Sequence, residues 1–227
     1  VRTQLTATVR YLSQIAKKEG YHKPQQLWLP VLPESITLEK LEKYIKEKLN
    51  GQNEIDSKIY AQKISDTNIL RSKIEIPIGL WDAPENQQQK PLVLSFTEKG
   101  NYAVCGMPMS GRSTLLQTTV YGLIHRYTPD ELNMYILDFS NKMLGVFEDE
   151  SHIGGILYEN DNEGVERFFH MLEQMLEERK ELFSGGSYQQ YLSSHTEKCP
   201  AVLIAIDNIA GFREKTEFKY DEKMIRI

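Results

Sequence analysis

A nine-residue loop pattern constrains this chain more than any other feature of its 227 residues. The pattern consists of Gly106, Met107, Pro108, Met109, Ser110, Gly111, Arg112, Ser113 and Thr114. Glycines at both ends let the backbone curl so that its N–H groups point inward. The helix expected next, over residues 113–127, adds the positive end of its dipole at the same place. The pattern therefore predicts a phosphate-binding loop after a strand over residues 102–105, with a plain strand–helix turn as the alternative.

Arg112 is the one departure from the usual phosphate-loop pattern, Gly-x-x-x-x-Gly-Lys-Ser/Thr. Arginine keeps the positive charge of the lysine, but its planar, forked head is larger and is not an equivalent replacement. The next residue, Ser113, is expected to place its hydroxyl on a phosphate-bound Mg²⁺ ion. The chain is thus either a nucleotide hydrolase or a domain that kept the nucleotide pocket and lost much of the chemistry.

A second motif follows about ninety residues later, where the apolar run 201–206 ends in Asp207 and Asn208. Such a run is typical of a strand buried on both faces of a parallel sheet. Its carboxyl end is where ligands bind in open α/β sheets, so Asp207 is predicted to help hold Mg²⁺ through the nucleotide. Asn208 stands where many ATPases carry a glutamate. It can orient a water molecule but cannot accept its proton, so ATP hydrolysis is expected to be slow or absent.

The strand predicted over residues 134–138 also ends in an acid, Asp138. This carboxylate either faces the nucleotide or caps the following loop through backbone amides. A long helix is predicted over residues 162–183 from its apolar period. Strands that alternate with helices predict an α/β fold with a mainly parallel sheet and helices on both faces.

The chain is predicted to divide near residue 73. Residues 1–73 are predicted to form an N-terminal helical and linker segment packed on the core. One helix is predicted over residues 2–19, and a second begins at an N-cap, Thr37. Residues 74–227 read as the core domain, incomplete on its C-terminal side. Cys105 and Cys199 are predicted to be reduced core residues. The net charge of −5 argues against a basic nucleic-acid groove.

Several short segments together resemble FtsK/SpoIIIE-type ATPase modules, and among them the modules of the tandem ATPases of type VII protein secretion. These segments are Pro-Ile-Gly-Leu-Trp-Asp-x-Pro at 77–84, the phosphate loop, Tyr-Ile-Leu-Asp-Phe at 135–139 and His-Ile-Gly-Gly at 152–155. The resemblance implies a RecA-like P-loop NTPase fold and binding of ATP and Mg²⁺. Arg112 and Asn208 fit a degenerate downstream module, expected to be the last (C-terminal) one of its parent chain, with a regulatory or substrate-docking role.

The same resemblance implies a setting for the chain: a cytoplasmic domain of a bacterial membrane protein. The implied partners are neighbouring ATPase modules of the same chain, WXG-motif secretion substrates, and further copies in a hexamer of the full-length protein. An active ATP-hydrolysing motor and an FtsK-like DNA translocase are the alternatives. The net negative charge argues against a DNA translocase, so no nucleic-acid partner is expected. Arg213 and Arg226 are candidates, by position only, for an arginine that acts on a neighbouring site.

Overall fold

The computed structural model describes residues 3–21, 29–51, 73–86, 88–194 and 199–226. The chain forms two compact units, one of Val1–Ser35 with Leu80–Lys90 and one of Ile36–Gly79 with Pro91–Ile227. The predicted division near residue 73 adjoins residues 52–72, which lie outside the described residues, so it stays a prediction.

Strands and helices are interspersed over the second half of the chain. The helices are α1 Gln4–Lys18, α2 Leu38–Gly51, α3 Phe96–Lys99, α4 Arg112–Arg126, α5 Asn162–Phe183, α6 Tyr188–Ser194, α7 Ile209–Lys215 and α8 Asp221–Arg226, with 3-10 turns at Pro84–Asn86 and Met143–Phe147. The strands are β1 Glu75–Ala83, β2 Gln88–Ser95, β3 Leu132–Asp138, β4 Ile153–Tyr158 and β5 Ala201–Asp207.

The central sheet has the strand order β4-β3-β5, and both strand pairs are parallel. In the β3–β5 pair, Leu132 lies opposite Ala201 and Asp138 lies opposite Asp207. The two strands therefore end together, and their terminal acids are neighbours at the carboxyl end of the sheet. A separate two-stranded sheet contains β1 and β2.

Two apolar clusters cover the two faces of the central sheet. One joins Val120 and Leu123 of α4 to Met134 and Ile136 of β3 and to Ala205 of β5. The other joins β3 to α5 and α7 through residues that include Leu137, Val165, Phe168, Phe169, Leu172 and Phe212. The predicted parallel α/β fold with helices on both faces is thus confirmed.

Helix α4 runs antiparallel to the strands, which places its N-terminus at their carboxyl ends. The Gln117 Nε2 atom, early in α4, donates to the carbonyl oxygen of Met143, shortly after β3 ends, at 3.3 Å. At the other end of α4, the carbonyl oxygen of Tyr127 lies 2.8 Å from Nε2 of His152, immediately before β4 begins. The start of α4 and the terminal acids of β3 and β5 therefore lie at the same end of the sheet.

The helix boundaries follow local capping chemistry. The predicted helix over 162–183 is confirmed as α5, where Asp161 caps the start by accepting a hydrogen bond from the Gly164 N–H at 2.8 Å. The helix ends at Ser184, which has a left-handed backbone (φ 47°). The Thr37 hydroxyl accepts from the Lys40 N–H at 3.3 Å and caps α2 as predicted.

The strand predicted over residues 102–105 is wrong, since residues 101–107 have no regular secondary structure and are exposed. The Tyr102 hydroxyl instead accepts from the Ser95 N–H at 2.8 Å, and its ring packs edge-on against Phe96. These contacts hold the segment beside α3, where no strand of the described sheets pairs with it. Cys105 is consequently exposed rather than in the core, whereas Cys199 is buried as predicted.

Candidate nucleotide-binding site

The loop over residues 106–111 folds back on itself in a way that depends on its two glycines. Gly111 has a left-handed backbone (φ 88°), which favours glycine, and Met109 is also left-handed (φ 63°). The Ser110 N–H donates to the Met107 carbonyl oxygen at 3.1 Å and closes a turn. A Cβ atom on Gly106 would collide with the Ser110 hydroxyl, so any other residue at this position would force the Ser110 side chain to move.

Helix α4 begins directly after this loop, and no described side chain caps its N-terminus. The Ser113 and Arg112 side chains form no hydrogen bond or ion pair with another described residue. On the same helix, the Thr118 and Thr119 hydroxyls donate to carbonyl oxygens one turn back, at 2.8 Å each. The first turn therefore leaves a hydroxyl, a guanidinium and the helix N-terminus available to an anion.

Asp207 ends β5 as predicted, and its environment is unusual for a carboxylate. Only 7% of the residue is exposed, and its Oδ2 atom is buried without a hydrogen-bond partner among the described residues. A buried carboxylate oxygen is normally hydrogen-bonded, paired with a cation or bound to a metal. Within the part of the chain that the structure describes, Asp207 Oδ2 thus lacks the partner that a buried carboxylate oxygen normally has.

The neighbouring acid, Asp138, is fully used by the backbone that follows it. Its Oδ1 accepts hydrogen bonds from the N–H groups of Ser140 and Lys142, both at 3.2 Å, and its Oδ2 accepts from Leu144 at 3.1 Å. This matches the capping alternative for Asp138 and fixes the loop between β3 and β4. A direct role of Asp138 at the nucleotide stays a prediction.

The Asn208 side chain also makes two structural hydrogen bonds. Its Nδ2 donates to the carbonyl oxygen of Phe139 at 2.9 Å, and its Oδ1 accepts from the Gly211 N–H at 3.2 Å, which caps α7. Its backbone is left-handed (φ 62°), a conformation that asparagine tolerates better than most residues. In this conformation Asn208 ties β5 to the loop after β3, and its role toward water stays a prediction.

Sequence reasoning missed one cation at this end of the sheet. Lys142 lies in the loop after β3 with a left-handed backbone, and its Nζ atom stands 5.2 Å from the centre of the Tyr158 ring. Burial raises the pKa of Tyr158, and the nearby Glu148 and Asp138 add to the shift. A lysine shortly after an acid-ended strand is the sequence signal that could have identified it.

Arg213 is paired with an acid of its own chain in this structure. Its Nε atom donates to both carboxylate oxygens of Asp221 at 3.0 and 3.1 Å, and a second nitrogen donates at 2.5 Å. The guanidinium also stands 5.0 Å from the centre of the Phe218 ring. The hydrogen bonds with Arg213 lower the pKa of Asp221. The side chain of Arg226 lies outside the described residues.

Comparison with known proteins agrees with the predicted fold class. The sequence model of the FtsK/SpoIIIE family matches residues 59–211, which is most of the chain. The chain belongs to the FtsK/SpoIIIE family. Within this family, it is homologous to ATPases of type VII secretion.

Two curated relatives show how the chain compares with whole secretion proteins. It is 26% identical to the type VII secretion system protein EssC of Staphylococcus aureus (strain MRSA252), over 100% of this chain and 14% of that protein. It is 30% identical to the ESX secretion system protein EccC of Geobacillus thermodenitrificans (strain NG80-2), over 94% of this chain and 13% of that protein. The chain therefore spans about a seventh of the length of these FtsK/SpoIIIE-family relatives.

The fold likewise matches a solved type VII structure. EssC (ATPases 2 and 3) from Geobacillus thermodenitrificans superposes with a TM-score of 0.63 and 28% sequence identity, over 67% of this chain and 30% of that chain. The similar proteins thus carry several ATPase domains in one chain. None of the described helices here has the length and apolar content needed to cross a bilayer.

The site fits the nucleotide and metal that FtsK/SpoIIIE-type ATPases imply. The glycine-dependent loop and the uncapped start of α4 suit phosphate oxygens, and Ser113 and Asp207 would hold Mg²⁺ through the nucleotide. The unpartnered Asp207 Oδ2 atom is the observation that this assignment accounts for. When bound, Mg²⁺ would neutralise phosphate charge, and Arg112 would supply a further positive charge to the phosphates.

Proposed function

We propose that this chain is a degenerate ATP-binding module of a type VII secretion ATPase, with a regulatory or substrate-docking role and weak or no hydrolysis. ATP binding is supported by the Oδ2 atom of Asp207, which is buried without a partner among the described residues. This atom lies at the same end of the sheet as the phosphate loop. The proposal of weak or no hydrolysis rests on two positions. Arg112 stands where a lysine is usual, and Asn208 stands where a glutamate is usual. The proposal extends to the full-length protein, which we expect to be attached to the membrane, to form a hexamer and to act on WXG-motif substrates.

A pocket that binds nucleotide but hardly turns it over can still act in secretion. Its two states, empty and occupied, need only bind a neighbouring ATPase module or a substrate with different affinity. The hydrogen bond from Asn208 to Phe139 supports such coupling, because it joins the end of β5 to the loop after β3. A nucleotide that contacts Asp207 would thus affect both the end of β5 and the loop after β3.

We expect ATP to bind this chain in a Mg²⁺-dependent manner, and Asp207→Asn to remove most of that dependence. Calorimetric titration with ATP, with and without Mg²⁺, measures both affinities. The unaltered chain should bind ATP at least about tenfold more tightly with Mg²⁺ than without it. Asp207→Asn should show little such difference, because the variant has lost a carboxylate ligand of the ion. Asp149→Asn, at an exposed position, is the matched control. No heat and no thermal stabilisation at millimolar ATP would refute nucleotide binding.

Replacement of Gly111 by alanine tests whether the pocket matters for secretion. The left-handed backbone at Gly111 makes alanine cost roughly 1–2 kcal/mol, with no described atom within 4 Å of the new Cβ. Gly185→Ala is the matched control, because Gly185 is also left-handed, has the same free space and lies far along the chain after α5. In the full-length protein, Gly111→Ala should lower secretion by several-fold, while Gly185→Ala should not.

The total ATPase rate of the full-length protein distinguishes regulation from catalysis in this pocket. Under the proposal, Gly111→Ala changes secretion while the total rate shifts only indirectly. A loss of most of the total rate would instead make this module an active motor. Unchanged secretion would mean that the pocket has no regulatory role.

A further inference from the structure

Lys142 is an exposed cation whose ammonium group has no charged partner among the described residues. Its side chain forms no hydrogen bond or ion pair with another described residue. Its Nζ atom stands 5.2 Å from the centre of the Tyr158 ring, and this contact is weak at an exposed site. A lysine ammonium has three hydrogen-bond donors, so the group can bind a stronger acceptor.

The backbone of Lys142 is fixed although its side chain is exposed. Its N–H donates to Oδ1 of Asp138 at 3.2 Å, and its left-handed backbone (φ 58°) begins the 3-10 turn Met143–Phe147. That turn lies close to Tyr158, because a Cβ atom on Gly145 would come within 2.9 Å of the tyrosine hydroxyl. The ammonium is therefore carried by a flexible stem on a well-defined base.

The side chains at the carboxyl end of the central sheet face helix α4. Asp138 lies opposite Tyr158 of β4 and opposite Asp207 of β5. Side chains alternate along a strand, and Ile136, two residues before Asp138, packs in the cluster that contains α4. Asp138 and its two partners therefore point to the α4 side. Lys142, over the Tyr158 ring, lies on that side as well.

The loop that carries Lys142 runs along the first turns of α4. Gln117 Nε2 donates to the carbonyl oxygen of Met143 at 3.3 Å, and Leu144 is buried in the apolar cluster with α4. Ser113 precedes Gln117 by four residues, so the two share one helix face and are about 6 Å apart along the axis. Lys142 is thus attached beside the face of α4 that presents the Ser113 hydroxyl.

We propose that the Lys142 ammonium binds the phosphate chain of the nucleotide. It adds the compact charge that a lysine at position 112 would supply, and a lysine ammonium binds phosphate as a point charge. In the free chain the ammonium stands over the Tyr158 ring. Neighbouring strands are about 4.8 Å apart, so the lysine stem needs to cross only one strand to approach Asp207. The inference rests on the proposed function, because it requires a bound nucleotide.

Calorimetric titration of the 227-residue chain with ATP and Mg²⁺ tests this contact. We expect Lys142→Gln to raise the Kd at least about tenfold, because a charge-assisted hydrogen bond to phosphate is lost. Lys142→Arg keeps the charge and should lose less affinity. The melting temperature without nucleotide should stay close to that of the unaltered chain in both variants, since the exposed contact with the Tyr158 ring contributes little.

Lys180→Gln is the matched control for the loss of one positive charge. Lys180 is exposed and pairs with Glu177 at 2.7 Å, and such surface pairs contribute little to stability. The preceding residue, Arg179, donates to the carbonyl oxygen of Pro200 at 2.6 Å, just before β5 begins. Lys180 therefore lies toward the amino end of the sheet, opposite the phosphate loop, and its replacement should leave the Kd unchanged.

Acetylation of lysines by an N-hydroxysuccinimide ester, followed by mass spectrometry, gives a second readout in the unaltered chain. Saturating ATP with Mg²⁺ should slow the acetylation of Lys142 at least about tenfold, because an ammonium bound to phosphate is held protonated and shielded. The acetylation rate of Lys180 should not change. A lysine with a merely structural role would show no response to nucleotide.

Two results would overturn the proposal. If ATP binds the unaltered chain and Lys142→Gln equally well, or leaves the acetylation of Lys142 unchanged, the lysine is a solvated surface cation and ATP binding itself stands. If the unaltered chain binds no ATP, the proposed function fails, and the inference about Lys142 fails with it. The titration of the unaltered chain therefore distinguishes the two failures.

Discussion

Arg112→Lys combined with Asn208→Glu is expected to raise the rate of ATP hydrolysis by about 100-fold or more. The glutamate supplies a group that can accept the proton of the attacking water, and such a base typically contributes ~10²–10⁴-fold. The lysine places a compact charge on the phosphates where the forked arginine now stands. Single-turnover kinetics in the full-length protein, with the catalytic sites of the other modules disabled, would measure the change.

The structure predicts a stability cost for the same double variant. Asn208 Nδ2 donates to the Phe139 carbonyl oxygen, and a carboxylate, which has no donor, cannot replace that bond. The loss should lower the free energy of unfolding by about 1–3 kcal/mol, so the assay temperature must stay below the lowered melting point. Arg112→Lys with Asn208→Gln is the matched control and should remain slow. If the unaltered module already turns over at roughly 1–10³ s⁻¹, the degenerate assignment is wrong.

Phe212→Ala is expected to lower the free energy of unfolding by about 3–5 kcal/mol. Phe212 is 0% exposed. Its ring packs edge-on against Phe139 at 5.0 Å between centroids and stacks with Phe169 at 6.1 Å and Tyr220 at 6.3 Å. Alanine would leave a cavity among three aromatic rings. Urea unfolding followed by circular dichroism measures the change.

Phe218→Ala is the control for the core substitution. Phe218 is 54% exposed, and the Arg213 guanidinium lies 5.0 Å from its ring centre. An exposed contact of this kind is worth about 0.5–1 kcal/mol. Equal losses from the two substitutions would contradict the assignment of Phe212 to the core that holds α7 against the sheet.

Local patterns were sufficient where an element is long or where its ends are marked. Helix α5 has apolar residues recurring over its 22 residues, a capping Asp161 and a left-handed Ser184, and its bounds match the prediction. Strand β5 is a continuous apolar run ended by an acid, which predicted both its place in a parallel sheet and the position of Asp207. In both, the information lies within the segment itself.

Strands that depend on their neighbours were predicted poorly. The prediction did not include β4, whose Gly154 and Gly155 lower strand propensity. In the structure β4 pairs with β3, and Gly154 lies against the Tyr135 ring, where a Cβ atom would collide. The reverse error arose at residues 102–105, which have a strand-like sequence and no pairing partner among the described strands. Pairing is a long-range property, so the local sequence misled in both directions.

The sequence by itself determined the chemistry available at the candidate site: the two loop glycines, the hydroxyl of Ser113, the arginine at 112 and the carboxylate at 207. Only the tertiary structure decided how those groups are used. It directed the Asp138 carboxylate to three backbone amides and the Asn208 amide to the Phe139 carbonyl, and it left Asp207 Oδ2 buried without a partner among the described residues. The physical reason is that a residue type sets which hydrogen bonds a side chain can make, whereas the meeting of β3, β5 and their loops sets which partners are within reach.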